Sequence, residues 1–70
     1  NGESLTVAPG QTVQIPMTRK EGFVFAISGE GKVNGEVLPT HALAFFTKGE
    51  ACSVENMSDA PLRLFCMQAD

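Results

Sequence analysis

The sequence predicts a single all-β domain, a sandwich or barrel of about seven short strands that covers residues 1–70. Apolar residues alternate with polar ones over runs of a few residues, turn-forming residues separate these runs, and no segment has a helical period. Seventy residues make one domain at most, and a composition of 43% hydrophobic and 19% charged residues is typical of a globular chain.

Three alternating runs occupy the first part of the chain. Residues 5–7 form the first run, which we expect at the edge of a sheet. Residues 13–15 form the second run, and Pro16 ends it because proline cannot donate a hydrogen bond to a neighbouring strand. In the third run we predict that Val24 faces outward and that the interior receives the alternating side chains of Phe23, Phe25 and Ile27.

The second part of the chain contains a hairpin and three further strands. Asn34-Gly35 predicts a type I′ turn, because both residues tolerate the positive φ angles that this turn requires. Beyond the hairpin, Leu43 and Phe45 are predicted to face the interior and Phe46 the outside. Cys52 and Val54 mark the next strand. The last strand, residues 61–67, is predicted to point Leu62, Leu64 and Cys66 to one side and Arg63, Phe65 and Met67 to the other.

The charge balance argues against nucleic-acid and membrane partners. Five Lys and Arg residues against eight Asp and Glu residues give a net charge of −3, and the basic residues form no stripe that could contact a phosphate backbone. No apolar run approaches the roughly 18 residues that span a bilayer. Two cysteines, Cys52 and Cys66, do not make a disulfide framework, so we expect free, buried thiols and a cytoplasmic protein.

Residues 23–56 carry a resemblance to a known family. Phe23-Val-Phe-Ala-Ile-Ser-Gly-Glu-Gly-Lys-Val-Asn-Gly-Glu36 resembles the end of the first cupin motif, and Gly49-Glu-Ala-Cys-Ser-Val-Glu-Asn56 has the spacing of the second. The resemblance implies a compact cupin-type jelly roll. Within cupins the chain is most similar to the C-terminal domain of pirin-like proteins, in which a Ser-Gly-x-Gly turn, a Val-x-Gly hairpin and an Ala-Pro-Leu-Arg-Leu-Phe strand recur in this order.

The same resemblance implies that the usual cupin metal ligands are missing. Cys52 stands where the second motif has its histidine, and the His-x-His of the first motif has no counterpart because the chain has one histidine. Glu21 lies one residue away from the first motif's carboxylate position, and His41 lies at a turn. We therefore expect no metal and no cofactor. If a metal did bind, Cys52, His41 and Glu21 would be its candidate ligands.

Two further kinds of site have candidate residues. Catalysis by Cys52 requires a neighbouring base such as His41 and a lowered thiol pKa, and the sequence shows neither, so we expect no catalysis by this chain alone. A small apolar ligand is the other candidate. It would occupy the barrel interior, although the same side chains equally fill a barrel this small. The residues predicted to line the site are Phe23, Phe25, Ile27, Leu43, Phe45 and Cys52.

The function expected from the sequence is that of a metal-free cupin module that acts by association or small-molecule binding, such as the C-terminal half of a pirin-like protein. The alternative is a metal-dependent dioxygenase or isomerase with an irregular site around Cys52 and His41. A barrel of 70 residues has little stability of its own. We therefore expect a homodimer or a neighbouring cupin domain, held through the apolar residues predicted to face outward, which are Val24, Phe46, Phe65 and Met67.

Overall fold

Eight β-strands joined by short turns make up the protein in this computed structural model, which describes residues 2–70. The strands are β1 (Gly2–Val7), β2 (Thr12–Gln14), β3 (Glu21–Ser28), β4 (Gly31–Val33), β5 (Glu36–Leu38), β6 (Leu43–Thr47), β7 (Ser53–Glu55) and β8 (Leu62–Ala69). The described residues contain no helix, which confirms the all-β class predicted from the sequence. The prediction of about seven strands missed one, because neither arm of the hairpin, β4 or β5, contains two apolar residues in alternation.

The strands form two antiparallel sheets of four strands. The front sheet has the order β1-β8-β3-β6 and the back sheet the order β2-β7-β4-β5. The first strand pairs with the last, the second with the seventh, the third with the sixth and the fourth with the fifth. The chain is therefore one long β-hairpin that is folded over itself into two layers, and β1 lies at an edge of the front sheet as expected.

The hydrophobic core lies between the two sheets. In the front sheet, Val24 is the register partner of Cys66, and Ala26 is the partner of Leu64. All four side chains are at most 3% exposed, and Val54 of the back sheet is fully buried. Phe46 is buried at the end of this layer. The core thus combines small side chains from β3 with larger ones from β8, which the narrow space between two packed sheets can hold.

The structure corrects the predicted orientation of β3 and β6. Val24 and Phe46 were predicted to face outward but belong to the core, whereas Phe45 was predicted to face inward and is 72% exposed. A shift of one residue in a strand moves every side chain to the other face. The error arose because both faces of β3 are apolar, so alternation alone does not tell which face is buried. For β8 the prediction was right: Leu62, Leu64 and Cys66 are buried.

Glycine is needed for local reasons at two places, a turn and a strand. Asn34 and Gly35 have φ angles of 50° and 84° between the paired residues Val33 and Glu36, which confirms the predicted positive-φ hairpin. A Cβ atom added at Gly31 would lie 2.7 Å from the backbone oxygen of Glu55 in β7. Gly31 therefore allows the close approach of β4 to its neighbour in the back sheet.

Buried and terminal polar side chains fix the connections between strands. The Asn56 amide is fully buried and makes four hydrogen bonds: its Nδ2 donates to the backbone oxygens of Val7 (2.9 Å) and Ala60 (2.8 Å), and its Oδ1 accepts from the Ser58 N–H (3.0 Å) and hydroxyl (2.8 Å). At the end of β8, Gln68 holds the connection between β2 and β3 in the same manner. Its Oε1 accepts from the N–H of Thr18 and its Nε2 donates to the backbone oxygen of Pro16.

Candidate functional site

The three candidate metal ligands lie in different parts of the fold. Cys52 is 2% exposed and lies between the sheets, immediately before β7. His41 is on the surface, with its imidazole stacked on the ring of Phe25, and Glu21 is exposed at the start of β3. Residues 2–70 contain no group of three or more His, Cys, Asp or Glu side chains arranged to hold a metal ion. The structure thus does not bring the predicted ligand set together.

The two cysteines are free and buried, and they come from opposite sheets. Cys66 belongs to β8 of the front sheet, whereas Cys52 is held to the back sheet, where its backbone oxygen accepts from the Ile15 N–H. Burial raises the pKa of the Cys52 thiol to about 11, and the nearby Cys66 adds to the rise. Burial and the neighbouring Glu3 also raise the pKa of Cys66. Neither thiol is therefore activated as a nucleophile at neutral pH.

The interior does not contain the predicted ligand-binding residues as a group. Of the six, Cys52 alone lies in the core. Phe23, Phe25 and Ile27 are half-buried, and Leu43 and Phe45 are exposed at 47% and 72%. These aromatic and aliphatic side chains lie on the outer side of the front sheet, because the inner side of β3 carries Val24 and Ala26. The predicted interior position of these five side chains is therefore wrong.

Their actual position creates an apolar surface on the outside of the front sheet, here termed the aromatic face. Register pairing arranges it in two rows across β8, β3 and β6: Met67, Phe23 and Phe45 form one row, and Phe65, Phe25 and Leu43 form the other. The Phe23 ring contacts the rings of Phe45 and Phe65, with centroid separations of 6.3 Å in both pairs. Six large apolar side chains thus share one side of one sheet.

At one end of the aromatic face is a cavity of about 420 Å³, here termed the acidic cavity. Glu21 and Glu50 are the charged residues in its lining, and Phe23, Phe45 and Met67 form its apolar wall. Glu50 is positioned by Thr47, whose N–H and hydroxyl both donate to Oε1, at 2.6 and 2.8 Å. These hydrogen bonds lower the pKa of the Glu50 carboxyl below its usual value, so it is ionised at neutral pH.

The opposite end of the aromatic face is basic. Arg63 is exposed on β8, where its register partners are Thr6 of β1 and Ser28 of β3. Among residues 2–70 its guanidinium has neither an ion pair nor a hydrogen bond. Because β8 alternates, Arg63 points to the same side of the sheet as Phe65 and Met67. The outer side of the front sheet therefore carries negative charge at one end, apolar side chains in the middle and positive charge at the other end.

Sequence reasoning identified the components of this surface but not the surface itself. Phe65, Met67 and Arg63 were predicted to share one face of the last strand, and Glu21 was considered only as a metal ligand. Glu50 was not considered at all, since it follows Gly49 in a turn and no strand pattern includes it. The sequence did contain one signal for an apolar outer surface, which was the excess of apolar residues on both faces of residues 23–27.

Comparison with known proteins does not assign the chain to a family. No protein-family model matches the chain, and no curated protein matches it significantly. In the part of the chain that the structure describes, no helix is long and apolar enough to cross a membrane.

Proposed function

We propose that this protein is a metal-free, cupin-type jelly-roll module whose function is association, and that its partner is a second copy of the chain, bound through the aromatic face. The observation that carries the proposal is the row arrangement of Phe23, Phe25 and Phe65 with Leu43, Phe45 and Met67 outside the front sheet. The three most exposed of these six are Phe45 (72%), Leu43 (47%) and Met67 (38%).

Strand pairing supports the jelly-roll class. Jelly rolls have eight strands in two sheets, and the pairing of first with last, second with seventh, third with sixth and fourth with fifth is what folding one long hairpin into two layers produces. Cupin character rests on the sequence resemblance together with Gly49, which has a φ of 87°, and the buried Asn56, both of which fall on the second-motif spacing.

Stability supports association. A domain of 70 residues buries only about 60% of the surface that its unfolded chain exposes, so its stability is marginal. Exposed apolar clusters of this kind mark protein interaction sites in soluble proteins. Moving a fully exposed large apolar side chain out of water contributes roughly 1.5–3 kcal/mol. Phe45, at 72% exposed, would gain most of this and Leu43, at 47%, about half, and two-fold symmetry applies each contribution twice.

The other functions expected from the sequence have less support. The interior is occupied by core side chains such as Leu64 and Val54, both fully buried, which leaves the small-molecule proposal without its predicted pocket. The enzyme alternative requires Cys52 and His41 at one site, but one is in the core and the other on the surface. Association is therefore the function that we carry forward.

Sedimentation equilibrium at micromolar concentrations tests the proposal. The wild-type chain is expected to sediment as a dimer, and Phe45→Glu as a monomer, because the new carboxylate would be buried without a partner. Met57→Glu is the matched control, since Met57 is 65% exposed but follows β7 of the back sheet and lies away from the aromatic face, and this variant should remain a dimer. A wild-type monomer, or a dimer that survives Phe45→Glu, would overturn the proposal. If the wild-type chain is a monomer by itself but binds a neighbouring domain through Phe45, the aromatic face belongs to the contact with that domain instead.

A further inference from the structure

The charges at the two ends of the aromatic face define how a second copy can dock. Arg63 and Ala69 both point outward on β8, and Ala69 is the register partner of Glu21 at the acidic cavity. They are six residue steps apart along the strand, a distance of about 20 Å. The point halfway between them lies between Phe65 and Met67, which is the centre of the aromatic face. A two-fold axis that lies in the interface, passes through that centre and is perpendicular to the strands therefore exchanges the basic end with the acidic end.

We infer that two copies pack front sheet to front sheet with their strands antiparallel, so that the Arg63 guanidinium of each enters the acidic cavity of the other between Glu21 and Glu50. This inference rests on the proposed association through the aromatic face. It adds the orientation of the partner and the pair of sites that fixes that orientation.

The acidic cavity has the chemistry that a guanidinium requires. Arginine presents five N–H donors in a planar group that pairs with carboxylates and stacks on aromatic rings. The cavity offers the Glu21 carboxylate, which accepts no hydrogen bond from the side chains of residues 2–70, and Oε2 of Glu50, because Thr47 occupies only Oε1. Phe23 and Phe45 provide ring faces in the same cavity. Its volume of about 420 Å³ is ample for one guanidinium.

Neighbouring charges do not cancel this arrangement. Lys20 and Lys48 are close in sequence to Glu21 and Thr47, and the Lys48 N–H donates to the backbone oxygen of Lys20. Neither lysine lines the acidic cavity. His41 is the other basic group near the aromatic face, and it lies on the Phe25 side, toward Arg63.

The alternative two-fold arrangement is electrostatically unfavourable. With the axis parallel to the strands, the acidic cavities of the two copies would face each other, as would the two Arg63 side chains. Like charges across an interface are costly, whereas complementary ones fix the register of association. The outer side of four strands by about 20 Å has a flat area near 400 Å² per copy. Two copies would therefore cover a flat area of about 800 Å² in total, before side-chain relief is counted, against the roughly 1,000 Å² of a specific interface.

Reciprocal charge reversal tests the inference. Glu21→Arg and Arg63→Glu should each weaken the wild-type dimer at least tenfold in Kd, measured by sedimentation equilibrium in low salt, because each places like charges together twice. Mixing the two variants in equal amounts should restore a dimer containing one of each. In that mixed dimer both contacts again join opposite charges, one with the wild-type polarity and the other with the polarity reversed. The double variant, with both substitutions in one chain, should also recover its own dimer.

Matched controls distinguish the contact between Arg63 and the acidic cavity from the effect of changing the net charge of the chain. Lys32→Glu changes the net charge as Arg63→Glu does, and Glu55→Arg changes it as Glu21→Arg does. Lys32 and Glu55 are register partners on the outer side of the back sheet, so both controls should keep the wild-type Kd. Thermal unfolding of each variant establishes that it is folded, and the restored mixed dimer makes the test independent of small losses in stability. If the wild type dimerises and Phe45→Glu dissociates it, but the mixture of charge variants forms no mixed dimer, the antiparallel arrangement is wrong while the aromatic association stands. A monomeric wild type would overturn both.

Discussion

His41 stacks on Phe25 outside the front sheet, with ring centroids 6.0 Å apart and planes 14° from parallel. The stack is held by an unusual backbone conformation, because His41 has a φ of 71°, in the left-handed region that side chains with a Cβ rarely adopt. Its N–H donates to the backbone oxygen of Ala26 at 2.7 Å, which ties the turn to β3. The single histidine of the chain therefore closes one end of the aromatic face.

Replacing His41 separates the effect of the stack from that of the backbone. His41→Ala and His41→Gly both remove the ring from Phe25, but glycine also relieves the left-handed strain, so His41→Gly should be the more stable by about 1 kcal/mol. Urea denaturation of both variants measures the difference. Equal stability of the two would contradict a strained turn at this position.

Burial of Cys52 predicts a loss of stability in alkaline solution. Burial raises the pKa of the Cys52 thiol from its ordinary value of 9.0 to about 11, so the stabilisation is complete below pH 9 and is lost as pH rises toward 11. The free energy of unfolding, measured by urea denaturation at successive pH values, should therefore fall across this window. Cys52→Ala should be less stable at pH 7 because it leaves a cavity, but it should show a smaller alkaline decline. An unchanged decline in Cys52→Ala would show that other groups cause it.

The Asn56 amide is expected to be among the most sensitive positions for stability. Asn56→Ala leaves the backbone oxygens of Val7 and Ala60 and the N–H of Ser58 without their side-chain partner, and we expect a loss of about 3 kcal/mol. Asn34→Gly is the comparison, because Asn34 also bonds the backbone, at Ala51 and Ser53, but on the surface, and glycine tolerates the positive φ of this position. A loss at Asn56 no greater than that at Asn34 would mean that burial of the amide contributes little.

The Gln68 side chain should contribute more to the stability of the fold than the ion pair beside it. Gln68→Ala removes the hydrogen bonds from the N–H groups of Thr18 and Arg19 and the one to Pro16, at an expected cost of about 1–2 kcal/mol. The Arg19–Asp70 pair, 2.9 Å between Nη1 and Oδ2, is exposed to solvent and should contribute little. Thermal denaturation of Gln68→Ala and Asp70→Asn compares them, with Gln11→Ala as an exposed glutamine control. A larger loss of thermal stability in Asp70→Asn than in Gln68→Ala would contradict this prediction.

The sequence predicted local features better than it predicted which surface is buried. The Asn34-Gly35 turn was found correctly because its two residues carry the backbone preference themselves. The inner face of β8 was also found, since Leu62 and Leu64 alternate with the charged Arg63. On β3 no charged residue marks the outer face between Phe23 and Ile27, so the larger side chains were assigned to the interior.

The physical reason for that failure also explains the candidate site. Two four-stranded sheets of this size leave room for Val24 and Ala26 on β3 but not for three further large side chains, and Phe46 already occupies the space beside them. The volume available between the sheets depends on the whole fold, and the alternation of residues in one strand carries no information about it. The acidic cavity was equally inaccessible to sequence reasoning, because Glu21 and Glu50 come together only when β3 pairs with β6.

The pairing of the first strand with the last has a consequence for how the protein is made. Gly2 and Met67 are register partners, so the front sheet has no partner for β1 until β8 has left the ribosome. Only the β4–β5 hairpin joins residues that are close in sequence, and the other pairings enclose it in progressively longer loops. Such a chain folds slowly for its length, and a nascent chain that stops before β8 is expected to remain a substrate for chaperones.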